Sequence, residues 1–411
     1  MAHTEPAALG SASATVLTPA EMARVRPNVK LIALLSLGHL VVDVIQGSIP
    51  ALLPSLKSTY ALSYAQAGTI VLVANVTSSI AQPVFGYLAD QTARRWLLPA
   101  APLLAGVGLG LSGVAPGYGA ILFLIVVMGL GVAAYHPEGY RAAASVAGDR
   151  RATALSWFSL GGNLGVALGP PFLTALLAAF GTAGSLGLLG PSLGATLLFL
   201  AALPVLNRAV VAGQASARAA RGVNMPRAMA LLILVVTIRS WSTLGFATFV
   251  PFYYLDHLGA DPREVGQVLF VFLGAGALGT VLAGPLADRW GARPFVRWVF
   301  LAAMPFGILF LQASGVVAYV LLGLFGAVLT SSFSVSLVLG QAYLPRNSGM
   351  AAGLIVGLAM GTGGLGVAVL GWLADHHGVV SALWISALMP LAGFTAARFL
   401  PVPREREPVA A

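Results

Sequence analysis

Long apolar runs, each separated from the next by a few polar residues, limit what this chain can fold into. They fall at about 31–55, 64–89, 97–115, 119–146, 152–180, 184–206, 228–255, 264–287, 294–313, 316–343, 348–374 and 379–399. About 20 apolar residues cross a bilayer as a helix, and these runs have that scale. Of 411 residues, 58% are hydrophobic and 9% charged, whereas a soluble domain has about 25% charged. A soluble fold of this size needs a polar skin that the composition cannot supply; a bilayer does not demand one. The 49 glycines and 25 prolines are tolerated in membrane helices, where neighbours satisfy freed backbone groups and small residues let helices approach. The reading is an all-α membrane protein with 12 transmembrane helices.

The absence of cysteine excludes a disulfide framework and a thiolate metal site. The net charge of +9 does not point to nucleic acid, because the basic residues stand in ones and twos between apolar runs and not on one face. The first 27 or so residues are polar and lack an apolar core followed by a cleavage site, so no signal peptide is expected there. The expected organisation is a flexible cytoplasmic tail at 1–28, a six-helix bundle at 29–206, a linker at 207–227, a second bundle at 228–399 and a tail at 400–411.

Basic residues set the orientation. With the N-terminus inside, the inner segments hold Arg24, Arg26, Lys30, Arg94, Arg95, Arg150, Arg151, Arg208, Arg218, Arg221, Arg227, Arg289, Arg293, Arg297, Arg346, Arg398, Arg404 and Arg406. The outer loops hold Lys57 and Arg263. Both termini are therefore expected in the cytoplasm.

The sequence repeats itself. Gly86-Tyr-Leu-Ala-Asp90 ends the second run and Gly284-Pro-Leu-Ala-Asp288 ends the eighth, 198 residues later; Gly68 and Gly266 share that offset. A third copy, Gly371-Trp-Leu-Ala-Asp375, ends the eleventh run, which crosses in the opposite sense. Internal repeats of this kind are a recurring transporter architecture. A glycine lets two helices touch, and a carboxylate at a helix end can be held by arginines or by a neighbouring helix N-terminus.

With Arg94 and Arg95 after the first copy and Arg289 and Arg293 after the second, these segments resemble the GxxxD-basic loop motif of the major facilitator superfamily. The first copy departs from the pattern at Gln91 and Ala93. On the fifth run, Gly165, Gly169 and Pro170 resemble the GxxxGP core linked to exchangers, without its following glycine pair: Leu173 and Thr174 stand there. The fourth run has Ile125 where drug exchangers of the superfamily often carry an arginine. A narrower resemblance, to the bacterial fosmidomycin-resistance subgroup, rests on Gly38-His39-Leu-Val-Val-Asp43, Leu62-Ser-Tyr64-Ala-Gln66-Ala-Gly68, Ser78-Ser79-Ile-Ala-Gln82-Pro83, His136-Pro137-Glu138, Gly161-Gly-Asn163 and Gly361-Thr-Gly363-Gly364-Leu-Gly366. It covers about residues 31–399. What it implies is two pseudo-symmetric six-helix bundles, gating residues at Gly86, Asp90, Arg94, Arg95, Gly284, Asp288, Arg289, Arg293, Gly165, Gly169 and Pro170, and a bacterial inner-membrane pump exchanging protons for a small organic solute.

The deep charges mark a site without that resemblance. A charge at mid-membrane costs about 2.5–3.5 kcal/mol on insertion scales and is rarely idle. Six ionisable side chains lie well inside the runs: His39 and Asp43 in the first, His136, Glu138 and Arg141 in the fourth, and Arg239 in the seventh. In the fold the resemblance implies, helices one, four, seven and ten line the cavity, so all six fall on cavity helices; the tenth brings Ser334 among other serines. His39, Asp43, Gln46 and Pro50 share one helical face. Asp43 is either a proton carrier or an acid locked to a permanent partner, and His39 either a relay or a structural side chain. Glu138 and Arg141, three apart, form an intrahelical pair, static or switchable: protonating Glu138 would free Arg141 for an anionic substrate. Arg239 stays charged and needs an anion, which Asp43, Glu138 or the substrate can supply. Trp241 and Tyr253, with Phe246, Phe249 and Tyr254, either wall the ligand or only pack.

The expected proton-coupling set is thus Asp43, Glu138, His39 and His136, and the substrate set Arg239, Arg141, Gln46, Trp241, Tyr253 and Ser334. The expected partners are a small anionic or amphipathic solute, protons and the lipid bilayer, with no nucleic acid, no cofactor and a monomeric state. No spacing suggests metal ligands. A proton symporter importing an organic anion would use the same residues. An enzyme lacks a serine–histidine–acid set or a phosphate-binding glycine loop, and a receptor does not need a gating motif in both halves.

Overall fold

The computed structural model describes residues 27–91, 95–147, 151–210, 223–345, 350–351, 354–359 and 361–403. Among the described residues there are twelve long helices. The first six are α1 (Val29–Tyr60), α2 (Tyr64–Gln91), α3 (Leu97–Ser112), α4 (Tyr118–Ser145), α5 (Arg151–Phe180) and α6 (Leu189–Val210), with a 3₁₀ segment, Gly181–Leu188, joining the last two. The second six are α7 (Pro226–Phe252), α8 (Glu264–Trp290), α9 (Ala292–Phe310), α10 (Gly315–Tyr343), α11 (Gly363–His377) and α12 (Val379–Ala397). Wide π-type turns extend α7 over Tyr253–His257 and precede α11 over Leu354–Ala359. Among the described residues ten helical stretches are long and apolar enough to cross a membrane; one of them, Trp157–Asn207, covers most of α5 and α6, and α3 falls short at 16 residues. The outward surface suits lipid: Phe123 and Leu278 are each 67% exposed, which water would penalise over so wide an apolar surface.

Local sequence explains the helix ends. The Asn28 side chain accepts from the Leu31 amide at 3.2 Å, satisfying one of the free N–H groups of the first turn. Pro226 opens α7, where a missing N–H costs nothing. The chain before each of these helices is anchored alike. Asn28 N–H donates to Val146 O at 3.0 Å, and Met225 N–H donates to Tyr343 O at 2.7 Å. Pro137 sits inside α4, which continues through it from Tyr118 to Ser145.

Among the first six helices, α1 packs most extensively on α5, and α4 on α3 and α2. Among the second six, α8 and α9 pack on α10, and α12 on α7 and α9. The two sets meet chiefly where α2 lies on α11 and α5 on α8. Glycine makes those crossings close. A Cβ on Gly68 would lie 2.8 Å from Val367 O, and one on Gly266 would lie 2.8 Å from Pro171 Cα. The two glycines 198 residues apart therefore serve equivalent crossings. Gly165 and Gly169 instead seat α5 on α1, where a Cβ would run into the carbonyl oxygens of Leu40 and Val44.

Candidate functional site

Asp43 lies near the middle of α1, with a histidine on each side. His39, one turn earlier, puts Nε2 3.3 Å from Asp43 Oδ2, and His136 of α4 puts Nε2 3.3 Å from Oδ1. All three are deep: His39 is 3% exposed and Asp43 6%. His136 is the more open histidine, its side chain 19% exposed. His39 is fixed from behind by Phe158 of α5, whose carbonyl receives Nδ1 at 2.8 Å and whose ring stacks on the imidazole at 4.2 Å. His136 Nδ1 meets Val132 O at 2.9 Å. A carbonyl oxygen only accepts, so each Nδ1 carries its hydrogen, and each neutral Nε2 turns a lone pair toward the carboxylate. One proton shared between the carboxylate and either Nε2 would complete a hydrogen bond and bring the triad to zero net charge.

One turn toward the C-terminus of α4, Arg141 Nη2 donates to both Glu138 oxygens, at 2.7 and 2.9 Å. Glu138 is buried, its side chain 1% exposed. Arg95, in the α2–α3 connection, is buried beside this pair and donates to Asn207 Oδ1 of α6 at 3.0 Å. Burial first, and then the like charge of Arg141, lower the Arg95 pKa against the opposing pull of Glu138. Arg95 is thus held among the first six helices.

Arg239 is 3% exposed in the middle of α7. Its guanidinium lies over the Phe333 ring of α10 at 5.1 Å, and its Nε has no hydrogen-bond partner. Among the described residues no carboxylate is within ion-pair distance. Asp43 and Glu138, its two expected partners, face the histidines and Arg141 instead. Ser334 Oγ and Trp241 Nε1 are also buried without partners. Gln46 lines a cavity of about 70 Å³ between the two sets of helices.

Tyr253 stands apart from the other expected substrate residues. It is 14 positions beyond Arg239, about 21 Å along the helix, stacked on His257 and packed against Tyr254 and Phe310. Phe246 packs on Phe272, Phe310 and Phe325. These aromatics form a core of the second half and do not wall the site. Phe158 and Phe333 do touch its charges, and sequence reasoning missed both; no spacing rule ties either to a residue on another helix. Nor did spacing reveal that the donor atoms of His39, Asp43 and His136 lie within 4.8 Å of one another, a set that could hold a metal ion.

At the end of the molecule bearing the α1–α2 turn, the halves are joined by polar contacts. Asp375 accepts from the Tyr64 and Ala65 amides at 2.7 and 2.9 Å, capping α2 from the end of α11. Tyr64 Oη donates to Asp256 at 2.6 Å, and Lys57 lies 3.3 Å from the same carboxylate. The third sequence copy therefore makes a polar contact between halves. At the opposite end, Arg289 is exposed and Arg293 half-buried. The surroundings of Gly86, Asp90, Gly284 and Asp288, and Arg94 itself, lie outside the described residues.

Comparison with known proteins agrees with this architecture. The sequence matches the Major Facilitator Superfamily over residues 35–359 and 232–411. It is 33% identical over 398 residues to the fosmidomycin resistance protein of Escherichia coli (strain K12), covering 94% of this chain and 97% of that one. It is 34% identical to an uncharacterised MFS-type transporter, YfnC, of Bacillus subtilis (strain 168), covering 89% and 91%. Among solved structures, the nucleoside transporter NupG aligns with a TM-score of 0.72 at 14% identity, over 90% of this chain and 98% of that one. A bacterial homologue of the human lysosomal transporter Spinster aligns at 0.74 and 16%, over 90% and 97%. The chain belongs to the Major Facilitator Superfamily. It is a multi-pass membrane transporter, not an enzyme, of the fosmidomycin-resistance-like subgroup.

Proposed function

We propose that the protein is a proton-coupled antiporter that exports a small anionic or amphipathic compound across the bacterial inner membrane, as a monomer with both termini in the cytoplasm. The observation that carries this reading is Arg239, buried in the middle of α7 with no carboxylate within ion-pair distance among the described residues, in a bundle that also buries the His39–Asp43–His136 cluster. A guanidinium stays charged, so its buried state needs an anion. With both deep carboxylates engaged elsewhere, the cargo supplies it, as a carboxylate, phosphate or phosphonate. Asp43 with His39 and His136 carries the coupling proton, entering past the more open His136. Glu138 and Arg141 form a second, switchable pair. The GxxxD-basic segments at one end, from Gly86 to Arg95 and Gly284 to Arg293, and the Asp375 and Asp256 contacts at the other, open and close in turn. Gly165, Gly169 and Pro170 keep α5 tight on α1 during that movement. Export is supported by likeness to a protein named for drug resistance.

A second reading, anion–proton symport, has one observation in its favour. An anion on Arg239 and an extra proton on the triad attract each other, which favours carrying both on one stroke. The sign of the pH change separates the two. When a panel of phosphonates and carboxylates is added outside proteoliposomes, exchange raises the luminal pH and symport lowers it. No proton movement with any transported anion would contradict both.

A further inference from the structure

Three residues after Asp43 on α1, the cavity of about 70 Å³ opens where α1, α2 and α4 meet α7. Its wall has no ionisable side chain. Gln46, Asn75, Ser78 and Thr248 provide the polar part, and Met128 and Leu244 belong to the apolar part. The polar groups differ in what they have left to offer. Ser78 Oγ is committed to Asn75 O at 3.1 Å. The Asn75 side chain donates one N–H to Val71 O at 2.9 Å, and its Oδ1 accepts no hydrogen bond among the described residues. Gln46 makes no hydrogen bond among the described residues and is half-buried.

Thr248 is the most telling. It is 0% exposed, and its Oγ1 has no partner. A helical threonine ordinarily solves this by bonding back to the carbonyl four residues earlier. Thr243 does so on the same helix, to Arg239 O at 3.0 Å, and so do Thr69 and Thr280 elsewhere. Thr248 does not, although an unsatisfied buried hydroxyl costs about 1–3 kcal/mol. Its hydroxyl, the Asn75 Oδ1 and the Gln46 amide are thus left for something inside the cavity. The volume matches about two waters, at roughly 30 Å³ each, or one compact functional group. Along α7, Leu244 and Thr248 lie about 8 and about 14 Å from Arg239.

We propose that this cavity is a second subsite for the cargo, binding a compact neutral group that both donates and accepts hydrogen bonds, an amide or a hydroxyl. A short apolar chain would link that group to the anion on Arg239. The inference rests on Arg239 as the anion site, and it narrows the substrate class to compounds with a charged end and a neutral polar end about 8–14 Å apart.

The test uses two phosphonates of matched shape, 6-acetamidohexylphosphonate and 8-methylnonylphosphonate, in proteoliposomes holding the full-length protein. Wild type is expected to transport the amide about tenfold better than the alkyl compound, the loss of one or two buried hydrogen bonds. Thr248→Val keeps the side-chain shape and should lower that ratio about fivefold. Thr248→Ser should retain it, and Gln46→Met should lower it again. Arg239→Gln should depress both compounds together. Equal transport of the two probes by wild type would overturn the subsite and leave the anion site standing, with water as the occupant. A full preference for the amide in Thr248→Val would overturn it as well. If wild type transports neither probe but does transport a cation, the Arg239 reading fails and the subsite falls with it.

Discussion

The two halves treat buried charge in opposite ways. Among the described residues of the first six helices the deep acids have partners on their own side: Asp43 between His39 and His136, Glu138 on Arg141. In the second six, Arg239 has only the face of Phe333 and no acid among the described residues. A paired set can exchange protons without exposing bare charge, because its members redistribute what they hold. A lone guanidinium cannot titrate usefully, but it can wait for an anion. In the proposed mechanism this difference divides the work: the proton goes to the first half and the cargo's charge to the second.

The sharpest way to break this division is Arg239→Gln. Removing one member of a buried charge pair costs about 2–5 kcal/mol or more, so anion transport should fall about a hundredfold while the protein still reaches the membrane. Near-normal flux would mean that the anion is held elsewhere.

Glu138→Gln should act less strongly and differently. It leaves the Arg141 charge without its acid, so the purified protein should lose about 1–3 kcal/mol of thermal stability, less than the roughly 3–5 kcal/mol of a fully buried pair because Arg141 is partly exposed. The double variant Glu138→Gln/Arg141→Gln should recover part of it. If the single variant keeps full stability yet loses pH-dependent flux, the pair is a proton switch and not a structural one.

Asp375→Asn has the smallest expected effect. It replaces a charged cap on α2 by a neutral one, worth about 1 kcal/mol. With no native cysteine in the chain, a cysteine placed in the cavity should label faster from that end of the molecule. Unchanged labelling would show that the Asp375 contact is not a latch.

Much of this was readable in the sequence. The apolar runs predicted the helices, and the 198-residue offset predicted the pairing of Gly68 with Gly266, because helix period and close approach leave marks along one chain. The His39–Asp43 contact was legible for the same reason: it is one turn of one helix. His136 joining Asp43, Phe158 fixing His39 and Phe333 lying over Arg239 were not, since each depends on which faces of separate helices turn inward. Tyr253 shows the converse. An aromatic on the right helix was expected at the ligand, but about 14 residues of rise carried it to the far end of α7.

The division of labour is tested most directly by calorimetric titration of the purified protein with a transported phosphonate, in buffers of different ionisation enthalpy, which counts protons exchanged per anion bound. Wild type should exchange protons on binding. Asp43→Asn should still bind the anion with that exchange reduced to near zero, and Arg239→Gln should not bind measurably. Binding that survives Arg239→Gln but is lost in Asp43→Asn would contradict the account.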